Sequence, residues 1–413
     1  MQMETPSDIY QQSIDLLYRC STSDGFLATP TENTNYRRIW ARDGVIIGLA
    51  SLLSEERDLI HTMRQTLLTL KEYQGPHGEI PSNVDPISGR ISFGGTTGRV
   101  DADLWFIIGC VEYWLATGDD DFLEHVIPAI EKVRFLLGAW EFNNRGLLYV
   151  PQAGDWADEY LHAGYVLYDQ LLYLQAQRAI CQIHAHVHGS PDHDLLAKAD
   201  HLKHLIKANY WLSDQGSGDD IYHEILYEKG LKSEASCRNK YWMPFFSPTG
   251  YGYRFDAFAN ILASLFNLAD DKQVELVDTY IDNICAHEIK LIPAFDPVIQ
   301  PVDEDWKDLQ MTFSFTFKNR PFEFHNGGRW PMLTGFYVSD LCNRGQTQTA
   351  RAYSQGINTA NAMPYKDHEY GFAEFIHGQD YTPGGTAEQG WSAAATIIAH
   401  QSLEGKRLFR INE

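Results

Sequence analysis

In the 413-residue sequence we expect no segment that directs a protein out of the cell or into a membrane. Its first residues, MQMETPSDIYQQ, contain no basic region followed by an apolar run, so we expect no signal peptide. The chain also has no run of about eighteen apolar residues, the length that a membrane-spanning helix needs. These absences predict a cytoplasmic protein.

Cysteine is scarce and scattered, which argues against a zinc or redox site. No C-x-x-C pair occurs, and most of the cysteines fall in apolar stretches where a buried free thiol is expected. Carboxylates do not cluster with histidine at the spacings typical of metal ligands. We therefore predict no metal and no cofactor. The six cysteines are Cys20, Cys110, Cys181, Cys237, Cys285 and Cys342.

Positive charge is also in short supply, because 33 Lys and Arg face 55 Asp and Glu, for a net charge of −22. Such a chain is a poor partner for nucleic acid or an anionic membrane. An acidic substrate is disfavoured too, unless arginines concentrate locally. A small neutral saccharide suffers no such penalty and is the predicted partner; a homo-oligomer is left open.

Alternating β-branched runs are rare, which favours an all-α fold. The period of the apolar residues instead predicts about twelve helices. These lie near residues 7–20, 43–53, 55–72, 101–117, 120–139, 165–187, 193–212, 254–268, 271–288, 329–341, 345–361 and 387–402.

The predicted helices alternate between two kinds. Odd-numbered helices carry one apolar stripe, as in 55–72, whereas even-numbered ones such as 101–117 are apolar nearly all round and therefore buried. This alternation predicts an (α/α)6 barrel with an inner and an outer ring of helices. A solenoid of helix pairs is the other candidate, but it should show a sequence repeat, and we find none. No linker-like segment divides the chain, so we expect a single domain over residues 1–413.

Clusters of polar and aromatic residues precede each predicted inner helix. Because all six loops enter inner helices, we expect them at one mouth of the barrel, around a polar cavity. The clusters are YRRIWARDG, GGTTGRVDADLW, AGDWADEYLHAGY, GYGYRFDAF, FHNGGRWP and FAEFIHGQDYTPGGTAEQGW.

Each cluster also has a structural interpretation. Asp101 and Asp256 suit helix N-caps as well as ligand binding. For the GDWAD segment a functional role is favoured over a structural one. Asp155 and Asp158 are expected to turn inward, and burying carboxylates that have no functional role costs free energy. Glu374 lies in an aromatic run, where burial would raise its pKa. Carboxyl groups that face each other across a cavity are typical of glycoside hydrolysis, in which one donates a proton and the other activates water.

Several motifs resemble those of the neutral/alkaline invertases, which hydrolyse sucrose on an (α/α)6 barrel. The resemblance rests on GRVDADLWFI, YGYRFDAFANILA, HNGGRWPML and the late AEF segment. IWARDG, DADLWF and the WAD–AGY segment equally resemble the α-1,6-glucosidase domain of glycogen-debranching enzymes. GDWAD is similar, more distantly, to the acid-bearing motif of trehalases.

The resemblance implies an inverting mechanism with Asp158 as general acid and Glu374 as general base. Asp155 is the competing acid; otherwise it holds a sugar hydroxyl. Trp40 and Trp156 are also placed in the predicted substrate pocket. Matching sugar-pocket positions are Arg42, Asp43, Asp101, Trp105, His325, Asn326, Arg329, Trp330, Gln389 and Trp391.

One departure from the invertase pattern bears on the substrate. Invertases carry two arginines just after the acid, whereas this chain reads Glu-Tyr-Leu-His over 159–162. A sucrose-type disaccharide remains the first expectation, and an α-glucoside such as trehalose, isomaltose or an α-1,6 linkage the second. A histidine-based sugar epimerase or isomerase is the candidate from another class. A non-catalytic carbohydrate-binding protein is a further candidate, disfavoured by the carboxylate pair.

Overall fold

The computed structural model describes residues 6–31, 35–213, 220–233, 240–313 and 315–412. Helices dominate this part of the chain. They are α1 (Pro6–Cys20), α2 (Ala41–Ser54), α3 (Arg57–Glu72), α4 (Val100–Thr117), α5 (Asp120–Trp140), α6 (Leu167–His188), α7 (His193–Tyr210), α8 (Glu224–Lys232), α9 (Ala257–Leu265), α10 (Asp271–Ile284), α11 (Trp306–Leu309), α12 (Pro331–Asn343), α13 (Thr347–Asn361) and α14 (Gly390–Leu403).

Six helices form a closed inner ring. Each of α2, α4, α6, α9, α12 and α14 packs against the next, and α14 returns to α2. Their sequences explain this position, since α2 is buried from Ala41 to Leu53 and α4 from Val100 to Trp114. A helix without a polar face gains most when it is surrounded by protein on every side. The (α/α)6 barrel predicted from the sequence is confirmed.

The outer helices bury one stripe each. In α3 the buried apolar residues are Leu59, Met63, Leu67 and Leu70, spaced three or four residues apart on one face. Side-chain caps fix where some of these helices begin, as at α5, where Asp119 accepts a hydrogen bond from the Phe122 amide. Such a cap satisfies a backbone N–H group that the first turn leaves without a partner.

Short antiparallel sheets form in the loops that lead into the inner helices. Strands β3, β6 and β9 each end directly before α2, α6 and α9, so they fix the direction in which the chain enters the ring. The strands are β1 (Ser21–Thr22), β2 (Gly25–Phe26), β3 (Ile39–Trp40), β4 (Asn83–Val84), β5 (Ile91–Ser92), β6 (Tyr165–Val166), β7 (Phe245–Ser247), β8 (Gly250–Tyr251), β9 (Phe255–Asp256), β10 (Phe295–Asp296), β11 (Phe375–Ile376) and β12 (Pro383–Gly384). They pair as β1–β2, β3–β4–β5, β6–β7–β8, β9–β10 and β11–β12.

All twelve predicted helices are present, and two short ones were missed. Helix α8 has nine residues and α11 only four, too few for an apolar period to stand out. Asp256 caps α9 by accepting from the Ala259 amide, as its structural interpretation predicted, whereas Asp101 lies inside α4. Cys237 lies outside the described residues.

Two further observations concern the described ranges. No helix in them combines the length and apolar character that crossing a membrane requires. No group of three or more His, Cys, Asp or Glu side chains in them is arranged to hold a metal ion.

Candidate active site

A cleft of about 760 Å³ opens among the loops that precede the inner helices. That volume is typical of a pocket for a small ligand. Its walls mix arginine, carboxylate, amide, hydroxyl and aromatic side chains. The described lining residues are Asn35, Tyr36, Arg38, Trp40, Ser82, Asn83, Arg90, Ile91, Ser92, Gly94, Gly95, Thr96, Arg99, Asp158, Glu159, Phe313, Phe315, Lys318 and Thr386.

The sheet β3–β4–β5 forms one wall of the cleft. Trp40 lies opposite Asn83, and Asn83 opposite Ser92. Residues directly opposite each other in antiparallel strands point to the same face, so all three side chains turn to the cleft. The Trp40 indole is anchored through its Nε1, which donates to the Asn35 carbonyl oxygen at 2.9 Å.

Asp158 reaches the cleft from the loop before α6. Its side chain is 20% exposed, and the Arg99 guanidinium donates from Nη2 to Oδ2 at 2.7 Å. Burial by itself raises the pKa of Asp158, but neighbouring cations, led by Arg99, outweigh it and leave that pKa below its ordinary value. In the ligand-free protein this carboxyl therefore favours its ionised form.

Glu374 lies almost wholly buried at the start of the β11–β12 hairpin, with 3% of its surface exposed. The Tyr36 hydroxyl donates to Oε1 at 2.7 Å, and the Thr386 amide donates to Oε2 at 3.0 Å. Gly385 has a φ of +75°, and a Cβ there would come within 2.4 Å of Oε2, so the turn that holds this carboxylate needs glycine. Burial raises the pKa of Glu374, as its aromatic surroundings predicted.

The pKa shifts of the pair in the free protein run in the opposite direction to those that the assigned roles would favour. The resemblance requires Asp158 to carry the proton and Glu374 to be ionised. The pKa of Asp158 is instead lowered, because the Arg99 cation is bonded to it, and the pKa of Glu374 is raised, because it is buried. These directions concern the ligand-free state, and the assignment of roles stays a prediction.

A buried ion pair joins the first turns of α2 and α4. Arg42 Nη1 donates to Asp101 Oδ2 at 2.7 Å, and the Tyr168 hydroxyl donates to the same oxygen at 3.2 Å. Trp105 Nε1 donates in turn to the Tyr168 hydroxyl at 2.8 Å. Trp105 is wholly buried and therefore lies in the core, so a sugar contact for it stays a prediction.

A cluster of buried aromatic rings continues beneath the catalytic candidates. His325 stacks on Trp330 at 5.4 Å, and Trp156 meets both rings edge-on. Trp391 lies edge-on to Trp330 on the other side, and the Arg42 guanidinium lies 5.8 Å from the Trp391 ring centre. Burial lowers the pKa of His325 to about 3, so its imidazole is neutral at ordinary pH.

Two predicted sugar ligands, Asn326 and Arg329, are bonded to backbone groups, and a sugar contact for either stays a prediction. Asn326 Nδ2 donates to the carbonyl oxygens of Ile299 and Asn319, while its Oδ1 accepts from the Ile299 amide. Arg329 donates to three backbone carbonyl oxygens, those of Ile284, Leu291 and Gly378. These bonds fix the loop before α12 to its neighbours, so both side chains position the loop and neither lines the cleft.

Asp155 and Asp43 are also buried away from the cleft surface. Asp155 Oδ2 lies 3.0 Å from His162 Nδ1, and its Oδ1 accepts from the Ala157 amide. Asp43 lies beside Gln389, 3.3 Å from its amide group, and burial raises the pKa of Asp43 to about 7. Their predicted contacts with substrate remain predictions.

The sequence is similar to those of known invertases. The family described as alkaline and neutral invertase matches residues 221–405. Cytosolic invertase 1 of rice is 24% identical and the alignment covers 90% of this chain and 72% of the relative. Probable alkaline/neutral invertase D of Arabidopsis thaliana is also 24% identical, over 90% of this chain and 76% of the relative. The chain therefore resembles the alkaline and neutral invertases over most of its length.

A solved structure supports the fold of this invertase-like chain. The mannosylglycerate hydrolase of Thermus thermophilus, in complex with Tris, superimposes with a TM-score of 0.64 at 13% identity. The alignment covers 94% of this chain and 99% of the hydrolase. At that identity the likeness concerns the barrel.

The invertase-like site contains residues that the sequence analysis did not single out. Arg99 and Tyr36 each contact a candidate catalytic carboxyl, and both stand in motifs already noted before the inner helices. Their position in these motifs could have indicated them, since polar side chains just before a buried helix are expected to face the cavity. Lys318, 3.7 Å from Glu159, comes from the long segment between α11 and α12, which no apolar period marks.

Proposed function

We propose that the protein hydrolyses a small glucoside, with a sucrose-type disaccharide as the first candidate and Asp158 and Glu374 as the catalytic pair. The observation that carries this proposal is the convergence of both carboxyls on one cleft. Asp158 lines the cleft, and Glu374 is held by Tyr36 and Thr386, which line it too. The charge of Asp158 also acts on Glu374 and raises its pKa.

The chemistry is the cleavage of an acetal by inversion. A protonated carboxyl donates to the glycosidic oxygen while the opposite carboxylate takes a proton from the attacking water. We assign the donor to Asp158, as the resemblance implies, and the base to Glu374. Tyr36 and Thr386 leave Glu374 positioned by two hydrogen bonds, which suits a group that must orient water.

This assignment requires one change on substrate binding. In the free protein Arg99 is bonded to Asp158, and burial favours the proton on Glu374. For Asp158 to act as acid, Arg99 has to turn away when a sugar fills the cleft, and the proton has to reside on Asp158. The reversed assignment, with Glu374 as acid, needs no such change and is the outcome against which the experiment is designed.

The test begins with substrates. Purified protein is incubated with sucrose, trehalose, maltose and isomaltose, and released glucose and fructose are measured. We expect sucrose to be cleaved, and trehalose or isomaltose cleavage would indicate the α-glucosidase alternative. Release of no free monosaccharide from any of the four would contradict the proposal.

Variants then assign the roles. Asp158→Asn and Glu374→Gln are each expected to lower kcat/KM by about 10²–10⁴-fold, the usual worth of general acid or base help. A glycosyl fluoride needs little acid assistance, so Asp158→Asn should be partly spared on it and Glu374→Gln should not. The opposite pattern would make Glu374 the acid. Asp121→Asn and Glu124→Gln on the exposed face of α5 are matched controls.

The epimerase alternative has less support. Histidine is the acid and base in that chemistry, and His325 belongs to a motif at the barrel mouth. Burial lowers the pKa of His325 to about 3 and the side chain is only 1% exposed, so it is poorly placed to exchange protons near neutral pH. A cytoplasmic location stays a prediction.

A further inference from the structure

Positive charge concentrates in the cleft of a strongly acidic chain. Of the lining residues, Arg38, Arg90, Arg99 and Lys318 are cationic, whereas Asp158 and Glu159 are the acidic residues among those described. The chain as a whole carries 55 acidic residues against 33 Lys and Arg. The local balance is thus opposite in sign to that of the whole protein.

Two of these cations are matched by the two acids. Arg99 is bonded to Asp158 at 2.7 Å, and Lys318 lies 3.7 Å from Glu159. The other two, Arg38 and Arg90, form no ion pair with any carboxylate in the described part of the chain. Arg38 donates to the Asn83 amide oxygen at 3.0 Å, and Arg90 is exposed. Two arginines therefore face the cleft without an ion pair among the described residues, although the Ser88 hydroxyl and, to a smaller extent, the charge of Arg38 lower the pKa of Asp85.

The sheet in the cleft wall brings these two arginines to the same end. Ile39 and Ile91 both lie opposite Val84, so Arg38 and Arg90, one residue earlier on each outer strand, flank the central strand at Asp85. Their backbones are separated by two strand spacings, roughly 10 Å, which leaves room for an anion between two long side chains. Paired residues at one register position also point to the same face of the sheet.

Asp85 is the carboxylate that stands between them in register. Its oxygens accept from the amides of Ile87 and Ser88 and from the Ser88 hydroxyl, at 2.6–3.3 Å. These bonds hold the carboxylate within the tight turn that follows β4. Asp85 is not among the described residues that line the cleft. Asp85 therefore offsets only part of the charge of Arg38, because its oxygens are already bonded within its own turn.

We propose that Arg38 and Arg90 bind an anionic group, a carboxylate or a phosphate, on the leaving group of the substrate. Guanidinium groups recognise both anions through charge-assisted, often bidentate hydrogen bonds. The inference rests on the proposed function for the identity of the substrate as a glycoside, and it replaces a wholly neutral disaccharide by one whose leaving group is charged.

Binding measurements test the inference without any turnover. Titration calorimetry compares D-glycerate with glycerol and fructose 6-phosphate with fructose on the wild-type protein. We expect at least one anion to bind about 10- to 100-fold more tightly than its neutral counterpart, the usual worth of a hydrogen bond to a charged group. The preference should shrink as salt is added. A preference for D-glycerate over glycerol identifies the anion as a carboxylate, and a preference for fructose 6-phosphate over fructose identifies it as a phosphate.

Variants locate the preference. Arg38→Gln, Arg90→Gln and the double variant should each reduce the ratio of anion to neutral affinity, and the double variant should bring it to within about 3-fold of unity. Arg57→Gln, the same charge change at the exposed start of α3, should keep the wild-type ratio. Equal affinities for both members of both pairs in the wild type, or an unaltered ratio in the double variant, would overturn the inference.

Kinetics separate this inference from the proposed function. The ratio of kcat/KM for sucrose phosphorylated on its fructose to that for sucrose, and for glucosylglycerate to glucosylglycerol, should follow the binding ratios. Hydrolysis of the neutral and charged glycosides at equal efficiency keeps the proposed function and rejects the inference. Binding of the anions without hydrolysis of any glycoside rejects the proposed function alone.

Discussion

The Arg99 guanidinium spans the loops before α4 and α6 and is bonded to Asp158, with Nη2 and Oδ2 2.7 Å apart. Its other terminal nitrogen, Nη1, donates to the Ala153 carbonyl oxygen at 2.6 Å, in the same loop as Asp158. Arg99 is 8% exposed, so little water screens the pair. This one contact sets the charge of the predicted acid in the free protein.

Replacing Arg99 by Gln is expected to raise the pKa of Asp158, because a cation that stabilises the carboxylate is removed and the effect of burial remains. One limb of the pH profile of kcat/KM, which reports the free enzyme, should move to higher pH. A moving basic limb identifies Asp158 as the acid, and a moving acidic limb identifies it as the base.

The control for this experiment is Arg64→Gln, which removes an arginine bonded to Asp119 on the outer helices at 3.0 Å. Its pH profile should match that of the wild type. A profile for Arg99→Gln with both limbs unmoved would show that Asp158 does not titrate in the reaction.

Inversion is the expected stereochemical course. Hydrolysis of an α-glucoside should release β-glucose first, followed by mutarotation, and proton NMR recorded within the first minutes distinguishes the two anomers. The expectation follows from the resemblance and from the origin of the two carboxyls in separate loops, an arrangement that leaves room for water between them in inverting enzymes. Initial release of α-glucose would indicate a retaining mechanism and carboxyls only about 5 Å apart.

The barrel could be predicted because its helices differ so plainly in their pattern. In α4 the buried stretch runs without interruption from Val100 to Trp114, and nothing except a fully enclosed position accommodates such a helix. Short elements were harder to predict. Helix α11 spans Trp306–Leu309, about one turn, and its place depends on packing with distant parts of the chain.

The site was predictable as a region but less so residue by residue. The motifs before the inner helices led to the loops that surround the cleft, yet the same motifs mix side chains of different roles. Arg329, predicted to contact sugar, is bonded to backbone carbonyl oxygens, while Arg99, which was not singled out, is bonded to Asp158. Both arginines follow a glycine in the sequence. Their different contacts depend on the direction in which each loop folds, which the sequence pattern does not show.

Tyr36→Phe should leave Glu374 less well positioned and less readily ionised, without unfolding the protein. The variant loses the hydroxyl that donates to Glu374 Oε1 at 2.7 Å, and this bond holds the pKa of Glu374 down against the effect of burial. We expect kcat to fall by about 10-fold or more, as for a hydrogen bond to a charged group, and the Glu374 titration to move to higher pH. Kinetics across pH measure both effects.

The matched control is Tyr10→Phe, whose hydroxyl accepts from Gln401 at 2.7 Å between α1 and α14. It removes the same atom far from the cleft lining, so kcat and the pH profile should be unaltered. An equally active Tyr36→Phe protein would contradict the role of Glu374 as a positioned base.

The buried pair of Asp155 and His162 should stabilise the fold, most strongly at acidic pH. Burial alone lowers the pKa of His162, but the bond to Asp155 outweighs it and raises the pKa above 6.5, the ordinary value. Because the folded pKa exceeds the unfolded one, the stabilisation is fully present below about pH 6.5 and is lost as pH rises through the folded pKa.

Asp155→Asn removes the anion while the imidazole stays buried, so the His162 pKa should fall and the protein should lose about 3–5 kcal/mol of stability below pH 6. Thermal unfolding followed between pH 5 and 9 should show a difference from wild type that narrows towards alkaline pH. Asp200→Asn is the control, since its pair with His204 is exposed and 3.7 Å long, and such surface pairs contribute little. A folded Asp155→Asn protein that keeps wild-type stability at pH 5 but has lost activity only toward substrates with poor leaving groups would instead make Asp155 the acid.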